Sequence, residues 1–357
     1  MDNTVRTCLL ILTFIAGTAC LFFMRDLITP FALAIFIWLI IDAFARWMDV
    51  KSTRCPYWLA LTIAVLVVVA ALVGIIIIIA DTATDVAQQA PRYQERLSEI
   101  FAWVGVKSGQ KDISFASLND RFGLTEKVQA GLAGFASSVQ GVVSNFMLIA
   151  IYVAFLFAAQ SSFPKKMDDL FPDTKQRAQA QKVGMRIRQS IEKYLGVQTI
   201  ISLMQTVVSY IAMEAVGLDN ALFWALVIFI LNYIPIVGGF AAIVLPVMFA
   251  LVQFESLTPI LVLSGALFGA QFIIGNTIQP KMMGDSMNLS ALVVVLSLTL
   301  WGGLWGGVGA FLSAPLTVII MTILAQFPTT RWIAVLLSAD GEPDDIEDKK
   351  KKAKPAL

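Results

Sequence analysis

Histidine is absent from all 357 residues. That removes imidazole metal ligands, Ser-His nucleophile pairs, histidine phosphorelays and histidine proton relays. Cysteine occurs only at Cys8, Cys20 and Cys55, with no CxxC pair. Two of these lie in an apolar run and one in a basic loop, which reads as inert thiols rather than a disulfide framework or redox pair. No metal site and no cofactor is expected. Charge is scarce as well. Asp, Glu, Lys and Arg make up 14% of the chain, where a soluble domain has about 25%. A net charge of +1 gives no basic surplus for nucleic acid.

What the chain has in excess is apolar side chain, 58% of its residues, against about 45–50% in soluble domains. A water-soluble particle of this size cannot bury so much. The composition predicts an all-α polytopic membrane protein, and membrane lipid is its first partner.

A crossing helix needs about 20 predominantly apolar residues. Six runs qualify: Thr7–Met24, Leu27–Ile41, Tyr57–Ala80, Val139–Ala159, Val197–Val216 and Pro259–Gly275. Gly17-Thr18-Ala19-Cys20 faintly resembles a lipoprotein cleavage site, but a second span follows at once, so a retained first helix is expected. Two further runs, Ala221–Phe254 and Ser290–Phe327, would each make a helix of roughly 50 Å, against a hydrocarbon core of about 30 Å. Both are interrupted, by Asn232-Tyr233-Ile234-Pro235 and Gly238-Gly239, and by Trp301-Gly302-Gly303 and Gly306-Gly307. They read as broken helical hairpins, either re-entrant or two short spans, giving about eight membrane segments.

Lysine and arginine crowd the loop before Tyr57 and the stretch 161–193, which should both be cytoplasmic. The amino terminus and the Lys349–Lys352 tail then fall inside and residues 81–138 outside. The organisation is three helices over 1–80, an extracytoplasmic helical segment over 81–138 and a fourth helix over 139–160. A basic cytoplasmic loop with an interfacial helix follows over 161–196, then a membrane core over 197–327 and a tail over 328–357. In the outer segment Tyr93, Leu97, Ile100, Phe101 and Val104 recur at helical spacing before a break at Gly105–Gln110. A second pattern, Leu124, Val128, Leu132, Phe135 and Val139, leads into the fourth crossing. This cap reads as structural or as an oligomer contact ahead of a gate. The basic segment Gln176–Leu195 is partly amphipathic, as in helices lying on anionic lipid or connecting in solvent.

From Tyr194 to Thr330 the side chains of the usual charged types are few: Glu214, Asp219, Glu255, Lys281 and Asp285, all at or near turns. Proton-coupled transporters carry intramembrane carboxylates, and here only Glu214 and Asp285 are ion-coupling candidates, with an interfacial Glu214 the plainer reading. The interior polarity is uncharged: Gln198, Gln205, Asn232, Gln271, Asn276, Thr277 and Gln279. Such amides either glue helices or contact a small polar solute. Asn232 and Asn276 stand out because they lie beside broken helix. Trp301 and Trp305, four apart, read as packing on one helix face.

The two hairpins resemble each other. Gly238 precedes Pro246 by eight residues, as Gly307 precedes Pro315. Ala221-Leu222 and Ala291-Leu292 open them, while Gln253-Phe254 and Gln326-Phe327 close them. Each follows one full crossing, and by the charge count those crossings run in opposite directions. This is the pattern of an inverted repeat, in which broken segments mark a midplane site.

At these residues the chain resembles the autoinducer-2 exporter-like family of bacterial inner-membrane transporters. The resemblance rests on Asn232-Tyr233-Ile234-Pro235 with Gly238 and Pro246, and on Gly275-Asn276-x-Ile278-x-Pro280-Lys281-x-Met283-Gly284. Leu292–Leu300, the glycine-rich break and Ala314-Pro315-Leu316 complete it. Ser290-Ala291 stands where many members have His-Pro, and Leu300-Trp301-Gly302 with Ile333–Ser338 look like the quorum-signal exporter branch. Gly239 replaces a proline common in the family. The resemblance implies export of a small polar signal, with autoinducer-2 as the type activity, and a homo-oligomer. Sodium–proton antiport is the alternative that other members imply, and a membrane scaffold or assembly role is the alternative of another class. An enzyme is not expected. The pathway candidates are Asn232, Pro235, Gly238, Gly239, Gln271, Asn276, Gly303, Gly306, Gly307 and Pro315, with Lys281 as a loop anchor.

Overall fold

In lipid a backbone has no water to bond to, so each spanning segment must satisfy its own N–H and C=O groups as a helix. The computed structural model describes residues 3–51, 57–108, 123, 145–283 and 288–343. Its elements are α1 (Asn3–Phe23), α2 (Arg25–Lys51) and α3 (Tyr57–Ser108), then α4 (Asn145–Gln160). They continue as α5 (Phe163–Leu170), α6 (Thr174–Val216), α7 (Ala221–Leu231), α8 (Val237–Gln253) and α9 (Leu257–Ile273). A π-helical turn over Ile274–Ile278 leads into α10 (Gln279–Met283), then α11 (Ala291–Ala325) and α12 (Arg331–Leu337).

No strand occurs among the described residues; Leu289 and Ser338 form one isolated bridge. Five stretches are long and apolar enough to cross a membrane: α2, α3, α6, α9 continued through α10, and α11. The pair α4 and α5, bent by 65°, has the form of a broken span or a re-entrant loop. The protein is all-helical and multi-pass.

Two boundaries differ from the sequence expectation. The third crossing and the first cap helix are one helix, α3, of 52 residues. The basic segment and the fifth crossing are likewise one helix, α6, of 43 residues. Pro91 lies inside α3 without ending it, and no glycine in a left-handed conformation interrupts either junction. Asp173 caps α6 by accepting from the Lys175 N–H at 3.1 Å, and Gly217 ends it at φ 74°. The second cap pattern at 124–139, Asp285, Cys55 and the Lys349–Lys352 tail lie outside the described residues.

The helices pack around separate apolar clusters. Ala34, Ile41, Ala60, Ala64, Ile149 and Val153 join α2, α3 and α4. Phe36 and Leu39 of α2 meet Ile191, Tyr194 and Leu195 of α6, together with Tyr233, Trp301, Trp305 and Leu312. Met213, Ala225, Ile228, Ala242, Ala250, Leu263 and Leu267 join the far end of α6 to α7, α8 and α9.

The extension of α3 beyond its span docks on that same far end. The Tyr93 ring meets Phe249 edge-on at 5.4 Å, and Arg96 Nη2 donates to the Phe254 and Glu255 carbonyls at 3.3 and 3.1 Å. Burial, with Asp219 adding to it, raises the Tyr93 phenol above its ordinary value, and its hydroxyl donates to Gln89 Oε1 at 3.0 Å. The α3 extension is thus packed against the ends of the helices around α8.

Candidate functional site

Proline has no N–H to give and disfavours helix in the residue before it. At Asn232-Tyr233-Ile234-Pro235 these rules end α7, and the chain reverses through Ile236 at φ 65° into α8. The reversal is tight. A Cβ on Gly238 would overlap the Leu231 carbonyl, so only glycine allows the two arms to approach this closely. Gln253 holds the base: its Nε2 donates to Gly217 O, and its Oε1 accepts from Asp219 N, each at 2.8 Å.

Helix α11 is a second hairpin. Its turn is Gly306, at φ 63° and ψ −142°. In a straight helix, residues eight apart lie about 12 Å apart, yet a Cβ on Gly309 would overlap the Trp301 carbonyl. Trp301 Nε1 donates to Thr317 Oγ1 across the arms at 3.3 Å. The sequence placed breaks at both Trp301-Gly302-Gly303 and Gly306-Gly307; a single left-handed residue suffices, and residues 301–303 stay helical. Ser290 caps the entry, and its N–H donates to Leu337 O at 3.1 Å, tying the base to α12.

These hairpins enter from opposite ends of α6. The first has its base at Gly217, whereas Gln326 and Arg331 at the second base share a cleft with Lys182 and Arg186. Arg186 and Gly217 are about 46 Å apart along the helix at 1.5 Å per residue. Yet the tips meet: Tyr233 packs on Phe311 at 4.9 Å, and Trp301 and Trp305 lie in the same cluster.

Around the first tip the buried surface turns polar. Gln198 Nε2 donates to the Asn232 carbonyl at 2.7 Å, and Thr199 Oγ1 and the Tyr233 hydroxyl lie 2.7 Å apart. Gln198, Ser202, Gln205 and Ser209 recur at i, i+4, i+7 and i+11, which puts them on one face of α6, and all four are buried. Gln271 of α9 fits a notch beside Gly239 and Gly275; a Cβ on Gly239 would collide with its amide, and one on Gly275 would come within 3.1 Å. Several buried polar atoms in this region have no protein partner: Asn232 Nδ2, Gln271 Oε1, Ser202 Oγ, Gln205 Oε1 and Thr206 Oγ1. Unsatisfied buried polar groups are costly and rare. A stripe of them, in an otherwise apolar wall, is suited to receive hydroxyl groups from a solute or water.

The other sequence candidates fall elsewhere. Asn276 is exposed, on the π-helical turn. Pro280 cannot donate to the Asn276 carbonyl, and the ladder widens just before it, with Gln279 N–H bonding Ile274 O five residues back. Pro280 and Lys281 are exposed beyond that turn. Gly303, Gly306 and Gly307 are exposed around the second tip, with open space where a Cβ would stand on each. Pro246 and Pro315 are fully buried in the return arms. Pro235 is half-buried at the first turn, and Glu214 is exposed near the C-terminal end of α6. The structure therefore gathers Asn232, Gly238, Gly239 and Gln271, and leaves Asn276 and Glu214 outside that group.

Three features escaped the sequence reading. Gly309, not Gly307, is the close-approach glycine of the second hairpin. Ser202, Thr206 and Ser209 complete the polar stripe, and their spacing from Gln198 and Gln205 was the available signal. Asp42 is fully buried within the α2 span, where the second apolar run was ended at Ile41. Arg46 Nη2 reaches it at 2.7 Å, Arg188 Nη2 also bonds it, and Gln160 Nε2 donates to it at 3.3 Å. Glu192 Oε1 accepts from Arg46 at 2.5 Å and Arg188 at 2.8 Å, and the Arg188 guanidinium lies 5.4 Å from the Trp38 ring centre. The i, i+4 spacings Asp42–Arg46 and Arg188–Glu192 were legible; their pairing across helices was not.

Residues 11–329 match the model of the AI-2E family transporters. A putative transport protein of Haemophilus influenzae is 31% identical, with 90% of this chain and 91% of that protein aligned. The AI-2 transport protein TqsA of Escherichia coli K12 is 29% identical over 88% of this chain and 90% of its own length. The putative transport protein YhhT of the same organism is 26% identical over 82% of each.

Proposed function

The chain belongs to the AI-2E transporter family, and from that premise we propose that it exports a small, uncharged, hydroxyl-rich signal of the autoinducer-2 type. Family and relatives alike are transport proteins rather than enzymes. The export reading places the chain in the bacterial inner membrane, with the basic end of α6 and both termini in the cytoplasm, as the lysine and arginine count favours.

The observation that carries the proposal is the polar stripe of α6 facing the first hairpin tip, with its unpartnered hydroxyl and amide atoms. An amide or hydroxyl without a protein partner offers a neutral solute hydrogen bonds in place of those it leaves in water. Exposed helix ends at the two opposed tips add partial charges and free backbone groups. Opposed hairpins that meet tip to tip support an inverted repeat of residues 197–254 and 259–327, and hence a pathway opened alternately from either end. The relative TqsA is named as an AI-2 transporter, which supports the same solute class.

Antiport of sodium against protons finds less support in this geometry, because Glu214 is exposed and the stripe itself holds no carboxylate. The test is signal partitioning in a deletion strain. Export predicts that loss of the chain raises the intracellular signal and lowers the extracellular signal, with the wild-type ratio restored by the intact gene but not by one encoding Gln271→Leu. An unchanged ratio on deletion would remove autoinducer-2 as the solute.

A further inference from the structure

A serine or threonine inside a helix can satisfy its hydroxyl by donating to the carbonyl three or four residues earlier. Thr199, Ser264, Ser297, Ser313, Thr317 and Thr322 all do so. Ser202 and Thr206 of α6 do not. Their Oγ atoms are buried without a hydrogen-bond partner among the described residues, and Ser202 as a whole is 0% exposed. Gln205, on the same turn, is 2% exposed, and its Oε1 is likewise buried and unpartnered. Its Nε2 donates to Ser209 Oγ at 3.4 Å, so the carbonyl oxygen is the free end. Positions i, i+3 and i+4 lie on one helix face, which gathers three neutral oxygens within a single turn. Each hydroxyl forgoes a bond that its own helix offers, which burial makes costly.

This turn lies about 6–12 Å along α6 from Gln198, which bonds the first hairpin tip. Buried Ile191, Tyr194 and Leu195 bound the polar stretch on one side with apolar side chains, and Met213 bounds it on the other. Between Leu195 and Met213 α6 carries no charged residue, so a charged ligand would stand unmatched there. We infer that Ser202, Gln205 and Thr206 form a subsite for a vicinal diol, and that they set the specificity of the path. The inference rests on the reading of the stripe as a solute path and adds the chemistry that the solute must present. Side chains one turn apart have Cβ atoms about 6 Å apart. Two adjacent solute hydroxyls, each a hydrogen bond away from its protein oxygen, bridge that span. Gln205 Oε1 only accepts, so the solute must also donate, which a hydroxyl does and an ether or ketone oxygen does not.

The test uses the full chain purified in detergent, with labelled autoinducer-2 followed by equilibrium binding. Propane-1,2-diol and propane-1,3-diol are followed by saturation-transfer NMR, and stability by thermal unfolding. Ser202→Ala and Thr206→Val should each weaken autoinducer-2 binding about fivefold, near the effect of one neutral hydrogen bond. Neither should lower the unfolding midpoint, because neither hydroxyl holds a protein bond. Thr206→Ser keeps the hydroxyl and should bind as wild type does, and Thr322→Val, whose hydroxyl bonds within α11, should leave binding unchanged. Wild type should favour propane-1,2-diol over its 1,3-isomer, and Ser202→Ala with Thr206→Val should lose that preference. If wild type binds no autoinducer-2 yet shows a diol preference that the double variant loses, the subsite stands and the autoinducer-2 assignment falls. Binding of both probes unchanged in the variants, a midpoint lowered by Ser202→Ala and Thr206→Val alike, or a wild type that binds neither probe would overturn the subsite.

Discussion

Asp42 is the centre of a charge cluster that joins three helices. It is fully buried, and two guanidiniums and the Gln160 amide hold it. The cluster has two carboxylates and two guanidiniums, so its charges balance, and it ties α2, α4 and α6 together. Neutralising Asp42 leaves two partly exposed guanidiniums sharing Glu192 alone, so the cluster carries an uncompensated positive charge. Asp42→Asn is therefore expected to lower the thermal unfolding midpoint sharply. The double change Asp42→Asn with Arg188→Gln should recover part of that loss, because both members of one pair are then neutral. Additive losses in the double mutant would show that the groups act independently.

Two turn residues make a matched pair at the same scale. Ile236 holds φ 65° with a β-branched side chain, whereas Gly306 holds φ 63° with none. The left-handed region costs a branched residue about 1–3 kcal/mol and glycine almost nothing. Ile236→Gly should raise the unfolding midpoint and Gly306→Ala should lower it, both read by thermal unfolding in detergent. Shifts of the same sign would contradict the turn assignments.

The hairpin is the element on which the architecture depends. Each needs one left-handed residue to turn and one glycine to let the arms close, Gly238 against Leu231 and Gly309 against Trp301. Either glycine changed to alanine drives a methyl into a backbone carbonyl, which must part the arms at a cost of about 1–3 kcal/mol. Gly307→Ala meets open space and should be nearly silent. Thermal unfolding of the three variants measures this directly, and a Gly307→Ala loss as large as that of Gly309→Ala would move the closing contact.

At this scale the sequence was most informative, since Asn232–Pro235 and the glycine-rich stretch after Trp301 announce both reversals through the loss of N–H donors and side chains. It was least informative about which glycine closes an arm. Gly307 and Gly309 have the same intrinsic freedom, and only the crossing of two arms separates them. Gln253 and Gln326 show the same limit. They look equivalent at the ends of their hairpins, yet Gln253 bridges to Gly217 and Asp219, while Gln326 bonds back to Thr322 within its own helix.

Across the whole molecule, low charge proves to be unevenly placed. Ion pairs gather at the basic end of α6 and where the α3 extension docks at the other, and the wall between them is neutral and polar. The multi-pass helical plan followed from hydropathy alone. The pathway did not, because a buried amide stripe and an exposed amide such as Asn276 look alike until the helices are packed. A neutral stripe predicts flux set by hydrogen bonding rather than by a titrating carboxylate.

Solute flux into proteoliposomes tests that claim most directly, with labelled autoinducer-2 and three preparations of equal protein content: wild type, Asn232→Ala with Gln271→Leu, and Glu214→Gln. Loss of hydrogen bonds worth about 1.4 kcal/mol or more corresponds to tenfold. The stripe variant should therefore fall at least about tenfold below wild type, and Glu214→Gln should match wild type. Flux retained by the stripe variant but abolished by Glu214→Gln would contradict the account.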